Sequence, residues 1–148
     1  MKNKLLAGFL TLALFGVAPI AGADPHSSGE APNSADDTET LAPGTHSGTI
    51  TTGDEDWYRI FVDQLSRVTV TLSFPCGADF DLDLYQGDGE TLIVRSDKHV
   101  CVAETTSCVA TQGQFVYARV FPFSGTGSYS LSVSTAAFSV SLTELCAL

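Results

Sequence analysis

The sequence predicts an all-β protein, an antiparallel β-sandwich of jelly-roll or Greek-key type. Apolar and polar residues alternate strictly in several segments, most clearly over residues 67–74, 79–85 and 128–134. Alternation with a period of two is typical of a strand that buries one face. Gly and Pro separate these segments, and no stretch after residue 23 shows the 3.6-residue period of a helix. Eight or nine short strands of this kind favour two sheets packed face to face.

The N-terminus predicts export. Lys2 and Lys4 precede an apolar run over residues 5–15, and Ala21-Gly22-Ala23 gives the small residues that a signal peptidase needs. Residues 1–23 are therefore predicted to be a signal peptide, and the chain is expected to be secreted or periplasmic. The apolar run is shorter than the ~20 residues that span a bilayer, so no membrane anchor is expected.

The rest of the chain divides into two predicted parts. Residues 24–45 are rich in acids and turn formers and poor in apolar residues, which predicts an acidic flexible linker. Residues 46–148 form the sandwich domain, with further strands predicted over 57–62, 91–95, 115–121 and 138–142 and a C-terminal extension from about residue 135. After removal of the leader the chain has 5 basic and 17 acidic residues. Such a charge opposes nucleic-acid binding, which depends on Lys and Arg.

Four cysteines follow the leader, and an even number in an exported domain predicts two disulfides. Cys101 and Cys108 flank a short Thr- and Ser-containing stretch that could turn a hairpin, so we expect them to pair. The second bond would then join Cys76 to Cys146. A zinc site is the alternative, but no Cys-x-x-Cys spacing supports it.

Four motifs in order along the chain resemble those of the bacterial pre-peptidase C-terminal domain family. They are DDTET at residues 36–40, GDEDWYRI at 53–60, DFDLDLY at 79–85, and VYARVFPFSG with GSYSLSV over 116–133. The resemblance implies a jelly-roll-like sandwich that accompanies secreted proteases and other hydrolases and is not itself an enzyme. Related domains of clostridial collagenases bind calcium and collagen.

Acidic residues near the start of the domain suggest a calcium site. Asp54 and Asp56 flank a turn that leads into a strand, and Asp36 and Asp37 could fold over them. Ca²⁺ prefers six to eight hard oxygen ligands, mostly carboxylates and carbonyls. Calcium is therefore a candidate cofactor at these four residues. The alternative is a solvated acidic turn without an ion.

A second acidic set, Asp79, Asp81 and Asp83, shares one face of a strand. We expect this to be the exposed face of a half-buried strand, relieved of its repulsion by Arg59 or Arg119 across the sheet. A metal site and a pair of glycosidase carboxylates are the alternatives. No Gly-x-Ser-x-Gly elbow occurs in the sequence, and no base is placed to activate a serine.

Aromatic residues on the strand phase opposite the apolar sets are candidates for ligand contact. Trp57, Tyr85 and Tyr117 are the predicted ligand-binding residues, and Phe61, Phe121 and Phe123 lie on the same phase. The alternative is that these aromatic residues fill a second packed face. The predicted function is a non-catalytic exported binding or auxiliary module for an extracellular protein or polysaccharide. The alternative is an inhibitor or chaperone-like partner of a secreted hydrolase, acting in trans.

Overall fold

The computed structural model describes residues 30–137. The predicted signal peptide, the predicted strand over 138–142 and Cys146 lie outside the described residues. Nine strands are present in the described part of the chain: β1 (Thr40–Leu41), β2 (Gly44–Ile50), β3 (Asp56–Val62), β4 (Ser66–Ser73), β5 (Asp79–Tyr85), β6 (Leu92–Ser96), β7 (Glu104–Ala110), β8 (Gln114–Ser124) and β9 (Gly127–Ala137). Between residues 30 and 137, no helix has the length and hydropathy needed to cross a membrane.

The strands form two packed sheets, which confirms the predicted all-β sandwich. One sheet has five strands in the order β1-β3-β8-β5-β6, and the other has four in the order β2-β9-β4-β7. β1 runs parallel to β3, and the other neighbours within the described sheets are antiparallel. Among the described strands, β5 and β6 are the only consecutive pair in one sheet. The chain therefore crosses between the sheets at nearly every connection.

The core lies between the two sheets and is built by alternate residues of each strand. Its central members in β5, Phe80, Leu82 and Leu84, are fully buried. The matching phase of β8 in the same sheet and of β4 in the facing sheet completes the core. Truncating a buried Leu of this kind to Ala costs about 2–5 kcal/mol.

β5 differs from the prediction because both of its faces are buried. Asp79, Asp81 and Asp83 are 8%, 7% and 0% exposed, so the expectation of an exposed acidic face is wrong. The physical reason is the position of β5 between β8 and β6, whose arginines extend over it. Arg119 is a partner as predicted, whereas Arg59 instead donates to the Thr40 hydroxyl.

Residues 30–45 are folded against the domain, where the sequence predicts a flexible linker. They contain a short 3-10 turn, Ala35–Asp37, followed by β1 and the start of β2. Ala31 and Leu41 are buried in the core, and the backbone amide of Trp57 donates to the carbonyl of Pro32 at 3.0 Å. Two apolar anchors and backbone pairing order this segment, and composition alone does not reveal either.

The disulfide also differs from the prediction. Cys76 bonds to Cys101, so the predicted Cys101–Cys108 and Cys76–Cys146 pairs are both wrong. No hairpin turn lies between Cys101 and Cys108, since β7 begins at Glu104 and carries Cys108 about 13 Å along the strand. Cys108 faces the core as a buried free thiol, and burial raises its pKa. The described residues therefore contain one disulfide.

Candidate functional site

The outer face of the five-stranded sheet carries a row of charged and aromatic side chains. Trp57 of β3, Arg119 of β8, Asp83 of β5 and Arg95 of β6 are successive register partners across four strands. They lie on the strand phase opposite the core. The alternation that fills the core therefore also aligns this row.

Asp83 is the centre of the row and is held by two arginines. Arg95 donates to its two oxygens at 2.7 and 2.8 Å, and Arg119 donates at 2.6 Å. Burial raises the pKa of Asp83, but the hydrogen bonds from Arg95 and Arg119 outweigh burial, and the pKa falls below its usual range. Asp83 therefore stays ionised. Because a carboxyl group with a lowered pKa is a poor general acid, its role here is that of a structural anion.

Arg119 is packed among aromatic rings. Its guanidinium carbon lies 5.6, 5.5 and 4.4 Å from the ring centres of Trp57, Tyr85 and Phe121. The Trp57 and Tyr85 rings are 5.0 Å apart. A cation over aromatic faces is attracted by their quadrupoles, more strongly when water is excluded. The row is thus fixed by both ion pairs and ring contacts.

The three predicted ligand-binding residues lie on this outer face, but they are not equally accessible. Trp57 and Tyr85 are 7% and 9% exposed, and the Tyr85 hydroxyl donates to Asp83 at 3.1 Å. Tyr117 is half-buried and is the register partner of Arg59. Trp57 and Tyr85 therefore support the surface, and Tyr117 contributes directly to it.

The more accessible part of the outer face combines Phe61, a candidate from the sequence, with Phe115 and Arg59, which the sequence analysis did not select for ligand contact. Phe61 is 47% exposed and its ring lies 5.3 Å from that of Phe115. The Arg59 guanidinium lies 5.1 Å from the centre of the Phe115 ring. Phe115 could also have been selected from the sequence, since it shares the strand phase of Tyr117. We call Arg59, Phe61, Phe115 and Tyr117 the aromatic strip.

Three acidic residues form the candidate metal centre. Glu30, Asp54 and Asp56 each offer a carboxylate oxygen, and these oxygens lie within 4.8 Å of one another. Ligands on opposite sides of one Ca²⁺ are about 5 Å apart, because each bond is 2.3–2.6 Å. The donor set and its spacing therefore fit a calcium ion.

Local structure positions these carboxylates. Asp54 ends a turn closed by a bond from its amide to the carbonyl of Thr51, and Asp56 begins β3. Asp56 is fully buried and accepts a hydrogen bond of 2.5 Å from the Tyr129 hydroxyl. With its side-chain amide oriented to satisfy both polar atoms, Asn33 donates to Asp54 at 2.7 Å. Residues 30–33 are thereby held across the start of β3.

The predicted ligands are only partly brought together. Asp54 and Asp56 belong to the cluster, while Asp36 and Asp37 are exposed in the 3-10 turn and do not. Glu30 was missed because it lies in the segment predicted to be a linker. No pattern in the sequence marks it, since only the fold brings it near β3.

Comparison with known proteins gives similarity at the level of structure. No family model matches the chain, and no curated protein matches it. Similar solved structures include the pre-peptidase C-terminal domain of collagenase from Bacillus anthracis, at 19% identity and a TM-score of 0.57. That match covers 70% of this chain and 100% of the domain.

A second similar structure is PliG of Aeromonas hydrophila, a periplasmic inhibitor of g-type lysozyme. It is 14% identical with a TM-score of 0.52, and the match covers 67% of this chain and 96% of PliG. At these identities the likeness concerns the fold. The resemblance to pre-peptidase C-terminal domains that the motifs predict is confirmed at that level.

Proposed function

We propose that this chain is an exported, non-catalytic binding module that recognises an extracellular protein or polysaccharide through the aromatic strip. The observation that carries the proposal is the exposed Phe61, with the half-buried Tyr117 in the same strip, on a sheet face that the second sheet does not cover. Exposed aromatic side chains on a rigid support are typical of binding surfaces.

The neighbouring row supports this role by keeping the strip rigid. Arg119, Asp83 and Arg95 are tied by bonds of 2.6–2.8 Å beside it. A surface whose side chains are already ordered loses less conformational entropy on binding. The buried Trp57 and Tyr85 therefore contribute to binding indirectly, by helping to keep the aromatic strip rigid.

The binding proposal is tested with the chain immobilised and exposed first to culture medium and then to soluble polysaccharides. Replacing Phe61 and Tyr117 by Ala should abolish retention of the bound species and leave the fold intact. Val109→Ala is the control, because Val109 is similarly exposed on the four-stranded sheet. Equal retention by the double variant and the parent chain would contradict the proposal.

The proposal also includes a calcium ion that stabilises the folded domain. Glu30, Asp54 and Asp56 would hold it, and its charge would relieve the repulsion among their carboxylates. Because Glu30 precedes the 3-10 turn and Asp54 precedes β3, the ion would fasten residues 30–33 to the sheet. Fixing this segment is the expected role of the metal.

Calorimetry of the intact chain with Ca²⁺ tests this part. Binding heat and a higher Tm are expected for the parent chain and should be lost in E30Q/D54N. D36N/D37N removes the same charge from the 3-10 turn and should bind normally. Loss of binding in D36N/D37N instead would favour the ligand set predicted from the sequence.

The alternative function is inhibition of a secreted hydrolase in trans. PliG, which has a similar fold, is a periplasmic inhibitor of g-type lysozyme, and this supports keeping the alternative. Assaying a g-type lysozyme with and without the purified chain separates the two. Stoichiometric inhibition would favour the alternative.

A further inference from the structure

A groove of about 410 Å³ lies on the same sheet beyond Asp83, away from the aromatic strip. Strands β5, β6 and β8 form it together with the loop that follows β6. The residues that line it are Asp79, Asp81, Arg95, Asp97, Lys98, His99, Phe121 and Phe123. Neither the aromatic strip nor the acidic cluster at Glu30 shares a residue with it.

The acidic residues of the groove form no direct ion pair with a basic residue within residues 30–137. No ion pair of the described chain includes Asp79, Asp81 or Asp97. Asp79 is only 8% exposed, and its Oδ1 atom has no hydrogen-bond partner. Leaving a buried carboxylate oxygen unsatisfied is costly, so such an atom indicates a missing partner.

The basic residues beside the groove are already engaged. Arg95 is bound to Asp83, and Lys98 Nζ donates to the carbonyl of Ala103 at 2.9 Å. The charge of the Asp79 and Asp81 pair is therefore not balanced by a direct contact from within the described residues.

Aromatic rings form the other wall. Phe121 already packs against the guanidinium groups of Arg119 and Arg95, at 4.4 and 5.3 Å from its ring centre. Phe123 is 76% exposed. Phe121 thus already packs against cationic groups of the chain itself, whereas the ring of Phe123 is accessible to a cationic group of another molecule.

The loop that closes the groove is firmly anchored. Cys101 is bonded to Cys76, and the buried Glu104 of β7 accepts hydrogen bonds from the Ser96 hydroxyl and from the amide of Lys98 at 2.8 Å. These bonds fix both ends of the segment that carries Asp97 and His99. The groove is therefore a preformed feature of the fold.

We propose that this groove binds a lysine or arginine side chain of a partner protein, with its charged end at Asp79 and Asp81 and its stem against Phe123. This inference rests on the proposed binding function and assigns the partner a cationic side chain. Carboxylates and aromatic faces together are the groups that recognise such cations.

Other occupants fit less well. Among the described residues, a group of three acidic, His or Cys ligand atoms within 4.8 Å occurs at Glu30, Asp54 and Asp56, and not in the groove. A compact metal ion would need such convergence. A neutral sugar would leave the charge of the carboxylates uncompensated.

The test uses the full mature chain and a short synthetic peptide of alternating lysine and glycine, with glutamate and serine versions as controls. Binding is measured by fluorescence anisotropy in about 0.1 M salt. D79N/D81N should weaken binding of the lysine peptide about tenfold or more. D63N/E90Q removes the same charge at exposed positions elsewhere and should have little effect.

Phe123→Ala gives a second variant that cannot be confused with misfolding, because Phe123 is largely exposed. This variant should weaken binding of the lysine peptide about two- to fivefold. Affinity should also rise between about pH 5 and pH 7 in the parent chain and lose that rise in D81N, since burial raises the pKa of Asp81 to about 6. The charged groups that face Asp81 are Asp79, Glu104, Asp97 and Arg95, with Lys98 and His99 also lining the groove.

Equal affinity of D79N/D81N and the parent chain for the lysine peptide would overturn the inference. A parallel loss in D63N/E90Q would also overturn it, since net charge would then explain the binding. Tight binding of a neutral oligosaccharide that depends on Asp79 would replace it with a sugar site. If retention by the aromatic strip persists in any of these cases, the proposed function stands and the inference alone fails.

Discussion

Arg119 Nη2 donates a hydrogen bond of 2.6 Å to the fully buried carboxylate of Asp83, its register partner on the adjacent strand. This bond joins β8 to β5 on the outer face, directly above the apolar pairing of Val120 with Leu82 in the core. At this place the outer face of the sheet is therefore stabilised by an ion pair and the inner face by apolar packing.

Replacing Arg119 by Ala should destabilise the fold strongly. Asp83 would lose one of its two arginines and the rings around Arg119 would lose their cation, at a cost of about 3–5 kcal/mol. Urea denaturation measures the change. Arg59→Ala is the control, because Arg59 is half-buried and its side chain binds Thr40. A similar loss in both variants would contradict the central role of Arg119.

Stability should depend on pH through Asp81. Its pKa is raised to about 6 by burial, and further by repulsion from Asp79, Glu104 and Asp97. The folded state therefore binds the proton more tightly than the unfolded chain, whose Asp has a pKa near 3.9. This contribution is complete below about pH 4 and is lost as the pH rises through 6, by roughly 1–3 kcal/mol.

The contribution of Asp83 to the pH dependence of stability has the opposite sign, since its pKa is lowered. Its stabilisation is present above about pH 4 and is lost as the pH falls below that value. Unfolding of the parent chain and D81N should be compared between about pH 4 and pH 7. The fall in stability across this interval should disappear in D81N, and an identical profile would refute the assignment.

Removing the Cys76–Cys101 bond should cost about 3.5 kcal/mol in the chain-entropy model. The double Ser variant should unfold at lower denaturant and should expose the loop before β7 to proteases. Cys108→Ala, which removes a buried thiol outside the bond, should not expose that loop. Peptide mapping that found Cys101 linked to Cys108 would contradict the structure.

A single methyl group can test whether residues 30–41 are folded. Gly89 has φ +69°, and a Cβ there would lie 2.6 Å from the Cβ of Ala35. Gly113 has a similar φ of +78° with nothing within 4 Å of its added Cβ. Both Ala variants should pay about 1 kcal/mol for the left-handed backbone, and G89A should be destabilised further by displacing the 3-10 turn. Equal Tm values for G89A and G113A would argue against that packing.

Much of the fold could be predicted because alternation marks strands directly. The strand over residues 79–85 was predicted with the bounds that the structure gives it. Its buried outer face was not predictable, because alternation does not show which strand becomes central. The same limit applies to Asp83, whose exposure is decided by the neighbours Arg95 and Arg119.

The candidate sites were predicted less completely, because they depend on contacts distant in sequence. Asp54 and Asp56 could be chosen for their local turn, whereas Glu30 reaches them only when residues 30–33 cross β3. The Cys101–Cys108 pairing failed for a related reason. Closeness in sequence favoured it, but β7 separates the two residues.

The strand order has a consequence for how the chain reaches its folded state. β8 and β9, the last two described strands, are inserted between earlier ones: β8 separates β3 from β5, and β9 separates β2 from β4. Before β8 emerges, the growing chain can form only the pairs β1–β3, β5–β6 and β4–β7, and β2 has no partner. Isolated two-stranded units are marginally stable in water. The domain should therefore assemble in one late, cooperative step, and chains that end before β8 should be degraded as unfolded polypeptide.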